Sequence, residues 1–530
     1  MDAQPSIPIC DRCHNLIHHH AGVPIHHPSV ESIEATIAES PHKYNHIYHI
    51  LDAADFPMSL IPHLHRHLEL ARPRTQNRRS KSHRYVRGTL TEVSFIITRS
   101  DLLAPQKEQV DRLMPYMIEV LRDALGRSGK NVRLGNVRCV SSKRGWWTKE
   151  VKEDIWKRGG GGWLVGKVNV GKSNLFEAVF PKGRSGDVDM DFDTARDLSS
   201  LQNQQPHESM DELDASPTSG SSAKDQYVTL EADEDIEDGL NDTLLLPPPQ
   251  EETPYPVMPI ISSLPGTTAS PIRVPFGGGK GELIDLPGLA RGNLEAYVRP
   301  ENRLDLIMKS RIAAERVVLK PGQSLLLGGL IRITPTTPDL IFMTHSFVPL
   351  KPHVSSTERA VDIQSGQRES GVPVITEPLA RAKMASAGKF QLKWDVTKSQ
   401  AGPLTSKSAG KLNPAQLPFI VYSADILIEG CGWVEVVAQV RRRRCGFNSG
   451  RDGATQSANP FADEEAVVAD NGGVPYPEVE VFSPEGKFVA LRKPMGAYLL
   501  NKKKPQPAKT RKSRPRPSMK SAKAQRQPSA

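Results

Sequence analysis

Gly166-Lys167-Val168-Asn169-Val170-Gly171-Lys172-Ser173 is the stretch on which the fold turns. It satisfies G-x-x-x-x-G-K-[S/T], the pattern of a phosphate-binding loop. A short apolar strand, Trp163–Val165, precedes it, and the helical run NLFEAVF follows. Gly166 and Gly171 let the backbone N–H groups of the loop, those of Asn169 and Val170 among them, curl around phosphate oxygens at a helix N-terminus. Lys172 is then placed to neutralise β- and γ-phosphates, and Ser173 to bind Mg²⁺. A chance Gly-rich turn is the competing reading. An eight-residue match in a strand–loop–helix setting argues against it.

Downstream, Asp285-Leu286-Pro287-Gly288 follows the strand Glu282–Ile284. A carboxylate at a strand end can hold Mg²⁺ through water, and the Gly288 amide can meet a γ-phosphate. Between the two lies Pro265-Gly266-Thr267-Thr268. It reads either as a plain Pro-Gly turn or as the source of a hydroxyl, that of Thr268, completing the Mg²⁺ shell. The base-reading parts expected after D-x-x-G are missing from residues 289–530 and stand upstream instead. Thr98-Arg99-Ser100-Asp101 follows the strand Val93–Ile97 and occupies the place of an Asn-Lys-x-Asp motif. Asp101 can accept both N1–H and the exocyclic amine of guanine, a pairing adenine cannot match. Ser141-Ser142-Lys143 follows the strand Val137–Val140, as a second guanine-contact loop would.

The order TRSD, SSK, GKVNVGKS, PGTT, DLPG resembles the circularly permuted GTPases, the group that includes bacterial ribosome-assembly GTPases of the YqeH kind. The likeness is greatest to their fungal mitochondrial branch, the genetic interactors of prohibitins. It spans roughly residues 10–300 through motifs and continues loosely into THSFVPLKPHVSSTERA and ADILIEGCGWVEV. The resemblance implies a GTP/GDP-binding mitochondrial protein tied to prohibitins, lipid metabolism and small-subunit ribosome assembly, with mitochondrial rRNA or the small subunit as partner. Three departures qualify it. Thr98 and Arg99 replace the usual Asn and Lys, which lowers the expected guanine affinity. Leu289 replaces a water-orienting Gln after D-x-x-G, which implies slow turnover. Asn169 matches an asparagine that positions K⁺ in some members, or serves loop geometry alone. The third departure is the metal site: only Cys10 and Cys13 remain of two C-x-x-C pairs, and two thiolates do not close a tetrahedral zinc. A vestigial pair and a working site completed by His14, His18, His19 or His20 both stand as readings.

Composition frames these motifs. The 530 residues are too many for one ordinary core, and an apolar fraction of 38% with 40 Gly and 44 Pro implies sizeable unpacked stretches. No apolar run reaches about 18 residues, so no transmembrane segment is expected. Five cysteines fit a reducing compartment. The start shows neither an apolar signal core nor an Arg-rich presequence. The net charge of +9 is segregated: residues 502–530 carry eleven Lys or Arg and no acid, and residues 187–252 carry nineteen acids against two bases. A basic chain with a basic tail suits RNA as a partner, and a solubilising tail is the plainer alternative.

The expected architecture is α/β: a permuted P-loop GTPase domain with a parallel sheet flanked by helices, then a β-rich or α+β C-terminal domain. Its divisions are a degenerate zinc-finger-like N-terminus (1–30), the G domain (31–300) with a disordered acidic insertion (185–252), the C-terminal domain (301–500) and a disordered tail (501–530). Val110, Leu113, Met117, Leu121 and Leu125 predict an amphipathic helix stopped by Gly126, with Pro115 inside it. Ser324–Ile333, Phe419–Ile428 and Glu478–Phe482 read as strands. Two functions compete: a slow GTPase switch, and an RNA-binding scaffold with a degenerate nucleotide site. A membrane-associated adaptor near prohibitins is a third, resting on the basic tail alone.

Overall fold

The computed structural model describes residues 14, 27–62, 64, 90–126, 134–183, 245–256, 258–259, 268–369, 371–404, 411–442 and 476–500. Cys10, Cys13, the basic loop 72–87, Pro265–Thr267, most of the acidic segment and the tail lie outside them, as do the readings made there.

Six strands form the first sheet: β1 (Tyr44–Asp52), β2 (Leu90–Thr98), β3 (Val137–Cys139), β4 (Gly160–Gly166), β5 (Ile272–Phe276) and β6 (Gly281–Asp285), in the order β3-β2-β1-β4-β6-β5. The first five of that order run parallel, and β5 is antiparallel to β6, so the sheet is mixed. The strand β1 has neighbours on both edges and is buried along nearly its whole length, which is why its sequence, YNHIYHILD, lacks strict alternation. Parallel pairing sends the C-terminal ends of β1, β2, β3, β4 and β6 to one edge. Every candidate motif except PGTT follows one of those ends directly.

Helix α1 (Val30–Ala38) is N-capped by Ser29, whose hydroxyl accepts from the Ser32 amide. Helix α2 (Lys107–Leu125) buries Val110, Met117, Val120, Leu121 and Leu125 and ends at Gly126, whose φ of 55° only glycine adopts readily. Pro115 stays within it, so the helix tolerates the lost hydrogen bond rather than starting after it. Helix α3 (Thr148–Arg158) buries Val151 and Ile155, and α4 (Lys172–Val179) buries Leu175, Phe176 and Val179.

Residues beyond 300 form two antiparallel sheets. One joins β13 (Trp394–Asp395), β14 (Phe419–Ile428), β15 (Gly432–Arg441), β10 (Phe342–Phe347) and β7 (Arg316–Leu319), with β17 (Val489–Arg492) also paired to β14. The other runs β11 (Pro352–Ser356), β8 (Gln323–Leu327), β9 (Ile331–Pro335), β16 (Glu478–Pro484), β12 (Met384–Gln391). The stretch read as one strand, Ser324–Ile333, is a hairpin: Gly328 and Gly329 take φ of 58° and 71° and turn the chain. Alternation along β14 and β15 gives the first of these sheets two apolar faces. Ile426, Ile428 and Val434 pack on Leu325, Leu327 and Ile333 of the other sheet. Leu427 and Trp433 pack instead with Phe56, Leu102, Leu103 and Met117. The C-terminal half therefore shares a core with the elements that carry the motifs.

Candidate functional site

The phosphate-loop sequence forms a tight turn between β4 and α4. Asn169 (φ 60°) and Gly171 (φ 85°) both take the left-handed conformation, and Gly171 is the N-cap of α4. Across the turn the D-x-x-G segment is stitched to the loop. Leu286 N–H donates to Leu164 O (3.4 Å), Leu289 N–H to Gly166 O (3.2 Å) and Val168 N–H to Leu289 O (3.0 Å). The approach is close: a Cβ on Gly288 would lie 3.0 Å from Lys172 Nζ and 2.9 Å from a Val168 methyl. The Gly288 carbonyl faces the His27 ring at 3.1 Å.

Lys172 is buried, and its ammonium donates to the carbonyls of Lys167 (3.0 Å) and Gly166 (3.2 Å). Burial pulls its pKa down to about 8, opposed by Asp285. Ser173 Oγ and Thr268 Oγ1 each donate to Asp285 Oδ2 at 3.2 Å. Asp285 is fully buried, its other oxygen, Oδ1, has no hydrogen-bond partner among the described residues, and burial pushes its pKa up to about 6. Two hydroxyls and a carboxylate converging on one point are a hard-cation donor set. The residues present therefore fit Mg²⁺, with Lys172 beside them as the counter-charge for a phosphate. The three residues assigned to Mg²⁺ are brought together; they come from α4, β6 and the segment before β5.

The base-reading candidates meet the loop from the other side. Thr98 Oγ1 lies 2.5 Å from Val170 O and 3.0 Å from Leu51 O, with one proton to give between them. Thr98 thus braces the phosphate loop. Arg99 (φ 53°) turns away from the loop to pair with the buried Asp52, its Nε at 2.8 Å from Oδ1. Asp101 is buried and accepts from Ser141 Oγ at 2.6 Å, which fixes the TRSD and SSK segments to one another. Thr98, Arg99, Asp101, Ser142, Lys143, Asn169 and Gly171 line one cavity of about 640 Å³. Of the residues assigned to the base, only Ser141 stays behind the wall, as the partner of Asp101.

Sequence reasoning missed the rest of that wall. Asn174, Glu177 and Lys182 follow from α4 and its C-terminal side, and the helical period could have named the first two. Ile307, Met308 and Lys309 come from the segment leading to the C-terminal sheets, and Lys143 Nζ holds the Lys309 carbonyl at 2.9 Å. No local pattern marks those three, because they are placed by the shared core. Leu289 is buried, and only its backbone reaches the loop.

No family model matches the chain. A stretch of 170 residues, 32% of the chain, is 25% identical to a protein of Clavispora lusitaniae named genetic interactor of prohibitins 3, mitochondrial. The chain spans 23% of that relative's length. Among the described residues, no helix is long and apolar enough to cross a membrane.

Proposed function

We propose that the chain is a guanine-nucleotide-binding protein with a circularly permuted P-loop domain, acting as a slow GTPase switch in the mitochondrion. The observation that carries this reading is one cavity of about 640 Å³ in which the TRSD and SSK segments face the phosphate loop. The convergence of Ser173, Thr268 and Asp285 beside Lys172 supports a Mg²⁺–phosphate end to the same site. Permutation accounts for the chain order. A parallel sheet delivers strand ends to one edge whatever the order of its strands in sequence, so β1, β2 and β3 can precede β4 and still supply the base-reading side.

In this reading Asp101, held by Ser141, selects guanine through paired hydrogen bonds, and Thr98 maintains the loop that receives the phosphates. Lys172 leaves its two carbonyls for the β- and γ-phosphates. Ser173, Thr268 and Asp285 would hold Mg²⁺, which would supply positive charge against a phosphoryl group. Asn169 on the cavity wall is the residue available to a K⁺ ion. Leu289 offers no polar group to orient water, which keeps hydrolysis slow. The name of the Clavispora relative supports a mitochondrial setting and a link to prohibitins. The basic charge balance supports mitochondrial rRNA or the small ribosomal subunit as partner.

The purified protein is expected to bind GTP and GDP at least a hundredfold more tightly than ATP, and Lys172→Ala to lose binding with its thermal transition intact. Equal affinity for ATP would refute the reading. Salt-sensitive rRNA binding in a protein that takes up no nucleotide would replace it with the scaffold.

A further inference from the structure

Beside the phosphate loop, running from Arg99 on the cavity wall to the turn after β14, lies a charged cluster most of which nucleotide recognition leaves unused. Asp52 and Asp55, from the end of β1 and the turn after it, are both fully buried. Arg99 pairs with Asp52, and Arg291, three residues past the glycine of D-x-x-G, pairs with Asp55 and lies 3.9 Å from Asp52. The same Arg291 points Nη1 at the Val168 carbonyl of the phosphate loop (3.4 Å) and Nε toward Glu429 (3.6 Å). Glu429 and Gly430 form the turn between β14 and β15. Glu429 accepts from the Gly292 amide at 2.8 Å, and the Gly430 amide donates to Asp55 at 3.0 Å. One guanidinium thus touches the turn after β1, the phosphate loop and the C-terminal sheet.

Two features make the cluster adjustable. Asp55 Oδ1 and Arg291 Nε are buried without hydrogen-bond partners among the described residues. A small cavity of about 50 Å³ separates Asn169 and Arg99 from Arg291, Glu429 and Gly430. A buried ionic cluster is sensitive to displacement of any member, since an uncompensated charge there is costly. A shift of the phosphate loop moves the Val168 carbonyl and changes how Arg291 divides itself between Asp55 and Glu429.

We propose that Arg291 is a positioning residue that couples the phosphate loop to the β14–β15 turn, so that nucleotide occupancy is read out at the C-terminal sheet through Glu429. The inference rests on the nucleotide reading above. Coupling is reciprocal, so loosening the turn must weaken nucleotide binding as much as nucleotide tightens the turn. Arg291 acts through the loop carbonyl and touches no phosphate itself. Lysine cannot replace it, because a single ammonium does not span four acceptors in three directions.

The test pairs fluorescent-GDP affinity with hydrogen exchange across residues 425–435 of the full chain. In the wild type, GDP should slow exchange of the turn amides several-fold. Glu429→Gln, which keeps an acceptor for Gly292, and Arg291→Lys should each weaken GDP about tenfold and abolish the exchange response, with the double variant no weaker than either single. If Arg291→Lys does not fold, Glu429→Gln alone carries the comparison. GDP binding by the wild type with no change in turn exchange, or Glu429→Gln with unaltered affinity, would overturn the coupling and leave the nucleotide reading standing. A wild type that binds no guanine nucleotide would overturn both.

Discussion

Arg492 with Asp425 and Lys172 with Asp285 each bury a cation and a carboxylate, and the two are finished differently. In the C-terminal core, Arg492 and Asp425 are joined at 2.8 Å, Arg492 also donates to Phe56 O at 2.6 Å, and the Met495 amide donates to Asp425 at 3.1 Å. The cation there meets its carboxylate directly, and all three contacts on Asp425, two from Arg492 and one from Met495, fall on Oδ2, leaving Asp425 Oδ1 without a hydrogen-bond partner among the described residues. In the phosphate pocket, Asp285 likewise keeps one oxygen unpartnered, but Lys172 rests on two carbonyls and no ion pair joins it to Asp285 among the described residues. Burial is equally deep in both. A charge taken out of water without a counter-charge costs free energy, so the difference lies in the cation: Arg492 is paired with a carboxylate, and the Lys172 ammonium meets only neutral carbonyls. The core pair neutralises itself, and the pocket's cation stands apart from its carboxylate.

The contrast can be broken first by removing a cation from the core. Arg492→Leu should destabilise the protein by about 3–5 kcal/mol in denaturant unfolding, because Asp425 would be left buried and unpaired. A loss below about 1 kcal/mol would mean that the pair is not structural. The same kind of change in the pocket should act in the opposite direction. In ligand-free protein at pH 7, Lys172→Met should raise stability by about 2 kcal/mol, since burial already holds this ammonium's pKa near 8. A destabilised variant would show that Lys172 is a structural group.

A smaller effect separates the two places by pH. Glu435 stands opposite Asp425 across β14–β15, and burial, reinforced by that carboxylate, pushes its pKa up to about 7. Its folded pKa lies above the unfolded value, so its contribution is present in full below pH 4.5 and lost as pH rises through about 7. Glu435→Gln should therefore flatten the fall in stability between pH 5 and pH 8, by about 1 kcal/mol. A wild type equally stable at both ends would contradict the assignment. The smallest effect concerns the loop brace: Thr98→Asn should change nucleotide affinity by no more than a few-fold, since the threonine already holds the Val170 carbonyl. A hundredfold gain would mean that the brace is absent in the native protein.

Much of the first sheet was legible because its strands are apolar runs ending in motif residues, and each motif lies where a strand ends. Asp285, Ser173 and Thr268 could be grouped because each chemistry is local to its own segment. Other features were not legible. The antiparallel β5 has no motif, and the Gly328–Gly329 turn inside an apolar stretch is invisible to a reading that counts only hydrophobicity. The wall at Ile307–Lys309 and the contact of Glu429 with Arg291 join residues more than a hundred positions apart. Only the core shared by Phe56, Leu427 and Trp433 brings such pairs together. The sequence marked Thr98 as a weakened position; that its hydroxyl reaches the Val170 carbonyl of the loop could be seen only in the fold.

The most direct test of a guanine-reading site is the base preference of Asp101→Asn. A carboxylate accepts from the N1–H and amine of guanine, whereas an amide pairs with the N1–H and C2 carbonyl of xanthine, and Asn can still accept from Ser141. Affinities for GDP and XDP, measured on both proteins, should show the wild type preferring GDP and the variant preferring XDP, with the ratio inverted by at least a hundredfold. A ratio that does not move on substitution would contradict the account, because Asp101 would then not face the base.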